Sequence, residues 1–414
     1  MKSLLISAPV HTVSGYGAHA RDIVKSLRDI GKYNIKIIPQ KWGNTPTNAL
    51  DDEQEFKEWV TERLHAGVIK EQPDIFIQIT VPNEFQKIGK YNIGITAGTE
   101  SSLAPKEFID GCNRMDLIIV PSTFTKKVLE STVYSETNKQ TGQVIREHKI
   151  KVPVEVLFEG VSSTFTKSYN HSILDEVKED FVFLFVGHWL NAKHTQDRKD
   201  VGGMIETFCT VFSSLPKKEQ PALVLKTSQA GFSILDRQEI WKRITKITNK
   251  FGEKCPPVYL LHGDLEEKEL SSLYYDSKVK TMVSFTKGEG YGRPLCEFSF
   301  TGKPIIVSNW SGHLDFLKDG HFAKLEGELK NVDPSAVNKF IIKESKWFNV
   351  NYSKAAGTLL DVWKNYESWL TKSNQIKSYN RTNFSLDNMT TELDTILKKF
   401  VNLPEFKEIK LPKF

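Results

Sequence analysis

Short apolar runs separated by helix-length segments constrain this chain more than any other feature. LLISA (4–8), NIKIIP (34–39), DIFIQI (74–79), YNIGIT (91–96) and DLIIVPS (116–122) come first. Between the first two, Ala18–Ile30 carries Ile23, Leu27 and Ile30 at helical spacing. Runs rich in β-branched residues with little polar alternation belong to parallel strands covered on both faces, so the first part of the chain reads as α/β. The pattern then restarts with VEVLF (154–158), FVFLFVG (181–187), ALVLKTS (222–228), VYLLHG (258–263), TMVSFT (281–286) and KPIIVS (303–308). Gly202–Phe212 and Leu235–Lys250 are the helix candidates between them. Two α/β units in tandem follow, with a hinge in the polar stretch 159–180. The expected division is 1–160, 161–380 and a C-terminal helix, 381–414, crossing back to the first unit. Beyond about residue 335 only helical patterns are read, including Ser353–Ser368 and Leu386–Phe400.

With 414 residues, 39% hydrophobic and 26% charged, the chain can bury a sizeable core. Its 56 basic and 51 acidic residues leave a net charge of +5, which permits an anionic partner without requiring one. No run approaches the roughly 18 apolar residues of a membrane span. MKSLLISAPVHTV is broken by Pro9 too early for a signal peptide. Cys112, Cys209, Cys255 and Cys296 are scattered without metal-ligand spacing. They argue for a reducing compartment and against structural zinc. A cytoplasmic location is expected.

Two segments carry chemistry. In SGYGAHAR (14–21), Gly15-x-Gly17-x-x-Ala20 superficially matches the dinucleotide fingerprint. It fits poorly, because several residues separate it from its strand and no acidic residue stands where a ribose would need one. Two readings stay open: a glycine loop admitting an anionic ligand at a helix N-terminus, or a tight turn with no ligand. The second segment, SFTKGEGYGRPLCEFSFTGKPIIVS (284–308), is a strand end, a glycine loop, a short helix with Pro294 at its start, and the next strand. Glu289 then lies in the loop and Glu297 in the first helical turn, both at the carboxyl edge of the sheet, where open α/β folds bind ligands. The N–H groups of Gly290, Tyr291, Gly292 and Arg293 suit a diphosphate, and an ionised carboxylate accepts two hydrogen bonds from a vicinal diol. Taken singly, Glu297 is equally a carboxylate favouring the helix dipole, and Glu289 a solvated loop residue.

The ordered set resembles the E-x7-E region of GT-B glycosyltransferases of the retaining family 4 type. Seven residues separate Glu289 from Glu297, and the loop, Pro-initiated helix and Gly-x-Pro strand follow in the same order. Further segments are similar to the family's: GTESSLAPKEFIDGCNRMDLIIVPSTFTKKVL (98–129), PVEVLFEGVSSTF (153–165), DRKDVGGMIETF (197–208) and LHGDLEEKELSSLYYDSKV (261–279). The resemblance implies two Rossmann-like doubly wound domains facing across a cleft, and transfer of a sugar from a nucleotide-diphosphate donor such as a UDP-sugar. It implies Glu297 on the ribose and Glu289 on the transferred sugar. Arg198, Lys199 or Lys226 would meet the diphosphate, and the Gly15–Gly17 loop would close over it. His262 to Leu265, His262 and Gly263 among them, would run beside the base, and Glu100 would face the acceptor or the reacting sugar. The chain departs from the family at Gly187, followed by His188 where Arg is common. Arg198 and Lys226 are therefore favoured as the phosphate cations, since Lys226 interrupts an apolar strand run.

A departing diphosphate needs positive charge more than a strong acid. No DxD motif is present, so neither metal nor cofactor is expected, and Arg and Lys would supply the charge. Retention of configuration is implied by the resemblance alone. A glycan or lipid-linked sugar is the expected acceptor, with peripheral contact at the inner membrane face. A hydroxymethylated base in DNA is the alternative, weakly favoured by the basic excess. A non-catalytic sugar-nucleotide or glycan-binding module, and an oxidoreductase using the GYGAHA loop, are the readings of other classes.

Overall fold

The computed structural model describes residues 1–138, 140–190, 193–229 and 231–401. Its first sheet comprises β1 (Lys2–Ala8), β2 (Tyr33–Pro39), β3 (Ile75–Ile79), β4 (Tyr91–Ile95) and β5 (Leu117–Val120). After an antiparallel hairpin, β6 (Tyr134–Thr137) and β7 (Val144–His148), the sheet is completed by β8 (Val154–Val156). The order is β2-β1-β3-β4-β5-β8, every pair parallel. A second parallel sheet has β9 (Val182–Val186), β10 (Ala222–Lys226), β11 (Val258–Leu261), β12 (Val279–Ser284), β13 (Ile305–Ser308) and β14 (Ala323–Leu325). Its order is β11-β10-β9-β12-β13-β14. Both orders reverse inside the sheet, between β1 and β3 and between β9 and β12, and ligands of open α/β sheets bind beyond the strand ends at such points.

The runs read from the sequence overshoot these strands mainly at their carboxyl ends, where the chain leaves the sheet. Gly187 (φ 158°) and Gly263 (φ 129°) are such exits. Eleven helices complete the fold: α1 (Gly15–Ile30), α2 (Gln54–Thr61), α3 (Lys106–Cys112), α4 (Thr123–Ser131), α5 (Val201–Phe212), α6 (Ile234–Thr248), α7 (Glu267–Tyr275), α8 (Arg293–Ser299), α9 (Tyr352–Lys364), α10 (Tyr366–Asn383) and α11 (Leu386–Phe400), counted among the described residues. Helix α1 starts earlier than its apolar periodicity, because Ser14 caps it by accepting from the Gly17 N–H at 3.0 Å. Gly17 is dictated by packing: a Cβ there would lie 2.1 Å from the Thr12 carbonyl oxygen. Nothing crowds Gly15, the residue that opens the helix.

The expectation of helix alone after residue 335 is corrected by KWFNV. It forms β16 (Lys346–Val350), paired antiparallel with β15 (Gly327–Asn331). Trp347, Phe348 and Val350 are buried, but the run is short and its partner, across the loop 332–345, is polar and exposed, so periodicity alone did not mark it. The polar stretch 126–151 finishes α4 and then forms the β6–β7 hairpin, exposed along most of its length.

Two chain crossings join the halves side by side. The Val161 N–H donates to Phe384 O at 2.8 Å, and the Leu386 N–H donates to Val161 O at 2.9 Å. Beyond the second crossing, α11 buries Met389, Leu393, Ile396 and Leu397 in the core under the first sheet, with Ile23, Val24 and Leu27 of α1. Thr390 adds a hydrogen bond to Ser26 at 2.7 Å. Leu393 is fully buried. Leu393→Ala should therefore lower unfolding free energy by about 2–5 kcal/mol in denaturant titration, the usual range for a Leu cavity that cannot collapse.

Candidate active site

A cavity of about 430 Å³ opens between the carboxyl ends of the two sheets. From the first half it is lined by the segment after β1, including Ser14, Gly15 and Tyr16, and by Ala97 and Glu100 beyond β4. From the second it is lined by Gly187 and His188 after β9, by Arg198 and Lys199, by Lys226, and by Glu289–Pro294 with Glu297. The loop after β12 lies at the reversal point of its sheet, as does the segment after β1.

At the centre stands Glu289, 5% exposed. It accepts from Lys199 Nζ and, at 3.0 Å, from Arg198 Nη1. Burial alone would raise its carboxyl, but the two cations outweigh burial and hold it down at about 2. Arg198 also donates to Gly288 O at 2.8 Å and pairs through Nε with Glu100 at 2.9 Å, so it reaches across the cleft to the first half. Lys199, in contrast, is pushed down by burial, with Glu289 opposing the shift. Lys226 ends β10, a strand flanked on both sides, so its lysine is not one snorkelling from a sheet edge. Its Nζ donates to Gly263 O at 2.6 Å and lies 5.6 Å from the Phe232 ring centroid. The structure thus brings Arg198 and Lys199 to Glu289, while Lys226 lines the same cavity on another partner.

Two helix N-termini face this cavity. Among the described residues, the N–H groups of Gly15 and Tyr16 at the start of α1, and of Gly290, Tyr291, Gly292 and Arg293 before and at the start of α8, donate to no protein atom. Gly292 has φ 98°, a left-handed turn that suits glycine. Orphan donors, two helix dipoles and three cations form a place for an anion. Tyr291 gives its backbone, since its side chain is buried with its hydroxyl 3.3 Å from Cys296 Sγ.

The other end is acidic and built around Arg293. Its Nε donates to Glu297 Oε1 at 2.8 Å, its Nη1 donates to Asp22 of α1, and Glu159 stands 4.0 Å away. Glu297 falls in the second turn of α8 rather than the first, and Tyr274 reaches its Oε2 at 3.4 Å. Burial raises Glu297 to about 7 despite Arg293, and raises Glu159 to about 7 as well. Asp264 and Leu265 line the cavity beyond. His262 and Gly263 do not: His262 is paired with Asp236 at 2.8 Å, and Gly263 gives its carbonyl to Lys226. Asp22 and Glu159 were not singled out in the sequence. The available signals were an acid beside Ile23 on the apolar side of α1, and an acid directly after the VEVLF run.

Three-dimensional comparison finds the same architecture in proteins of very different sequence. Anabaena HepE in complex with UDP-glucose is 13% identical, with a TM-score of 0.60 over 96% of this chain and 100% of that one. Sucrose-phosphate synthase from Thermosynechococcus elongatus is 11% identical, TM-score 0.61, covering 96% and 99%. The trehalose-6-phosphate synthase of Burkholderia multivorans is 9% identical, TM-score 0.60, covering 96% and 98%. The fold is GT-B. No protein-family profile and no curated protein sequence matches the chain.

The raised carboxyl of Glu297 has a measurable sign. Between about 4.5 and about 7 the folded chain keeps a proton that the unfolded chain has released. Its contribution to stability therefore falls as pH rises through that window. Glu297→Gln should flatten the fall in melting temperature between pH 4.5 and 7, and Glu159→Gln should remove a further part of it; a pH–melting series on the three proteins reads this out.

Proposed function

We propose that the protein is a glycosyltransferase that moves a sugar from a nucleotide-diphosphate donor to an acceptor hydroxyl. The observation that carries the reading is the convergence of Arg198 and Lys199 on Glu289 inside a cleft faced by two helix N-termini. The proteins of like fold, whose names include a UDP-glucose complex and two sugar-phosphate synthases, support it by analogy of fold.

In this reading the diphosphate lies against Gly15, Gly290–Arg293, Arg198, Lys199 and Lys226, whose charge and N–H dipoles stabilise it as it leaves. The sugar C1–oxygen bond to the β-phosphate breaks, the acceptor oxygen bonds to C1, and the acceptor proton passes to a departing phosphate oxygen. Cations serve where other transferases use a metal ion, and attack on the face that the phosphate leaves retains configuration. Glu289, held ionised by its two cations, accepts hydrogen bonds from the transferred sugar. Glu297 uses its Oε2, which has only the long Tyr274 contact, for the ribose. Glu100 faces the acceptor side. The division of labour is nucleotide sugar on 161–380 and acceptor on 1–160, with 381–401 tied to the first domain; the rest of the expected C-terminal segment, 402–414, lies outside the described residues. A glycan or lipid-linked sugar is the proposed acceptor, reached in the cytoplasm or at the inner membrane face.

Incubated with a panel of sugar nucleotides, the protein should release free nucleoside diphosphate from at least one. Glu289→Ala should reduce that release by more than about 100-fold, the scale of losing a preorganised electrostatic group. Release from no donor, or an unaffected variant, would favour a binding module instead. Trials of the active donor with lipid-linked sugars, glycans and hydroxymethylated DNA then identify the acceptor.

A further inference from the structure

Beneath the cationic turn lies an ion pair that the proposed chemistry does not use. Asp200 directly follows Arg198 and Lys199; it is fully buried and adopts φ 48°, a left-handed conformation that glycine takes without strain and aspartate does not. Lys287, two residues before Glu289, is only 2% exposed. Its Nζ stands 3.3 Å from Asp200 Oδ2 and donates to Asn349 Oδ1 at 2.7 Å. The Tyr352 hydroxyl donates to the same Asp200 oxygen at 2.7 Å. Space for this meeting is cleared by Gly203, where a Cβ would lie 2.5 Å from Asp200 Oδ1 and 2.7 Å from the Tyr352 hydroxyl. The two loops are also joined through their backbones, the Lys287 N–H donating to Arg198 O at 2.7 Å.

We infer that Lys287 and Asp200 are positioning residues: their buried ion pair fixes the Arg198–Lys199 turn against the Glu289 loop, and so sets where the two cations meet a diphosphate. The inference rests on the reading of Arg198 and Lys199 as the phosphate cations. Its argument is geometric. The turn carries both cations outward while Asp200 turns inward, and Asp200 is anchored by residues from two other segments, Tyr352 at the start of α9 and Lys287 before the Glu289 loop, Lys287 being held in turn by Asn349 near the end of β16. A buried ion pair is a weak source of stability, since desolvation offsets most of its attraction, and apolar replacements of such pairs are often neutral. Placement, by contrast, is what a cation acting on a transferring phosphate depends on, and a misplacement of about 1 Å can cost on the order of 100-fold in rate.

The test separates the inference from the reading beneath it. Arg198→Ala and Lys199→Ala are measured first, for turnover of the donor found in the panel and for binding of UDP and UMP; variants that keep both properties overturn the reading itself. The double variant Asp200→Gly with Lys287→Met removes both charges and relieves the left-handed strain. It should melt within a few degrees of the parent, yet show at least about tenfold lower kcat. Its preference for UDP over UMP should fall as well, a readout that loosening of the fold elsewhere does not move. Tyr352→Phe removes one bond to the same carboxylate from a partly exposed residue, and should lower kcat and the UDP preference in the same direction by about threefold. Should the double variant not fold, Tyr352→Phe decides. Unchanged kcat and unchanged UDP preference in whichever folded variant is measured overturn the inference while leaving the reading of Arg198 and Lys199 intact.

Discussion

A carboxylate taken out of water must be met by positive charge or give up its own, and Glu289 is met twice, by Lys199 and by Arg198. That single requirement organises the centre of the molecule. Arg198 extends the pairing to Glu100 of the first half, and the Gly288 carbonyl ties the same guanidinium to the loop that carries Glu289. The cations are thus held in place before any ligand arrives, which is the condition for electrostatics in a dry cleft to be strong. Because Glu289 already occupies part of their hydrogen-bonding capacity, the two cations present oriented donors with a neutralising group behind them rather than bare charges.

Contacts between the halves concentrate at this same place. Ser122 donates to Gly290 O at 2.6 Å, Trp347 Nε1 donates to Glu100 O at 2.9 Å, and Arg293 links Asp22 of α1 to Glu297 of α8. Glycine is needed where the surfaces meet: a Cβ on Gly290 would lie 2.3 Å from Ala97 O, and one on Gly288 would lie 2.0 Å from Glu100 O. The glycine-rich loop is therefore shaped by the opposing half as much as by any anion. Both demands select the same residue.

The strands of both sheets were readable because a parallel sheet buried on both faces writes itself as uninterrupted apolar runs, and KGEGYGRPLCE was readable because its turn, helix start and acids are local. What escaped is what the fold brings together from afar. Arg198 and Glu289 are 91 positions apart, and Arg293 and Asp22 are 271 apart. Nothing local distinguishes Lys199, which meets Glu289, from Lys226, which the apolar run made conspicuous and which binds a carbonyl instead. Glu159 and Asp22 are buried beside Arg293, a neighbour that only the folded chain supplies. The strand at 346–350 was hidden by its brevity and by a partner strand that is polar and exposed.

The paired crossings at Val161 and Phe384–Leu386 have a mechanical consequence. One connection between two bodies is a tether and allows them to twist, slide and swing. Two connections hydrogen-bonded to each other act as a hinge pin, leaving rotation about one line as the soft motion. On such a pin the α1 N-terminus can move relative to the α8 N-terminus along one arc only. The alignment of the two helix starts is thus set by the crossings as well as by the contacts between the halves at the cleft.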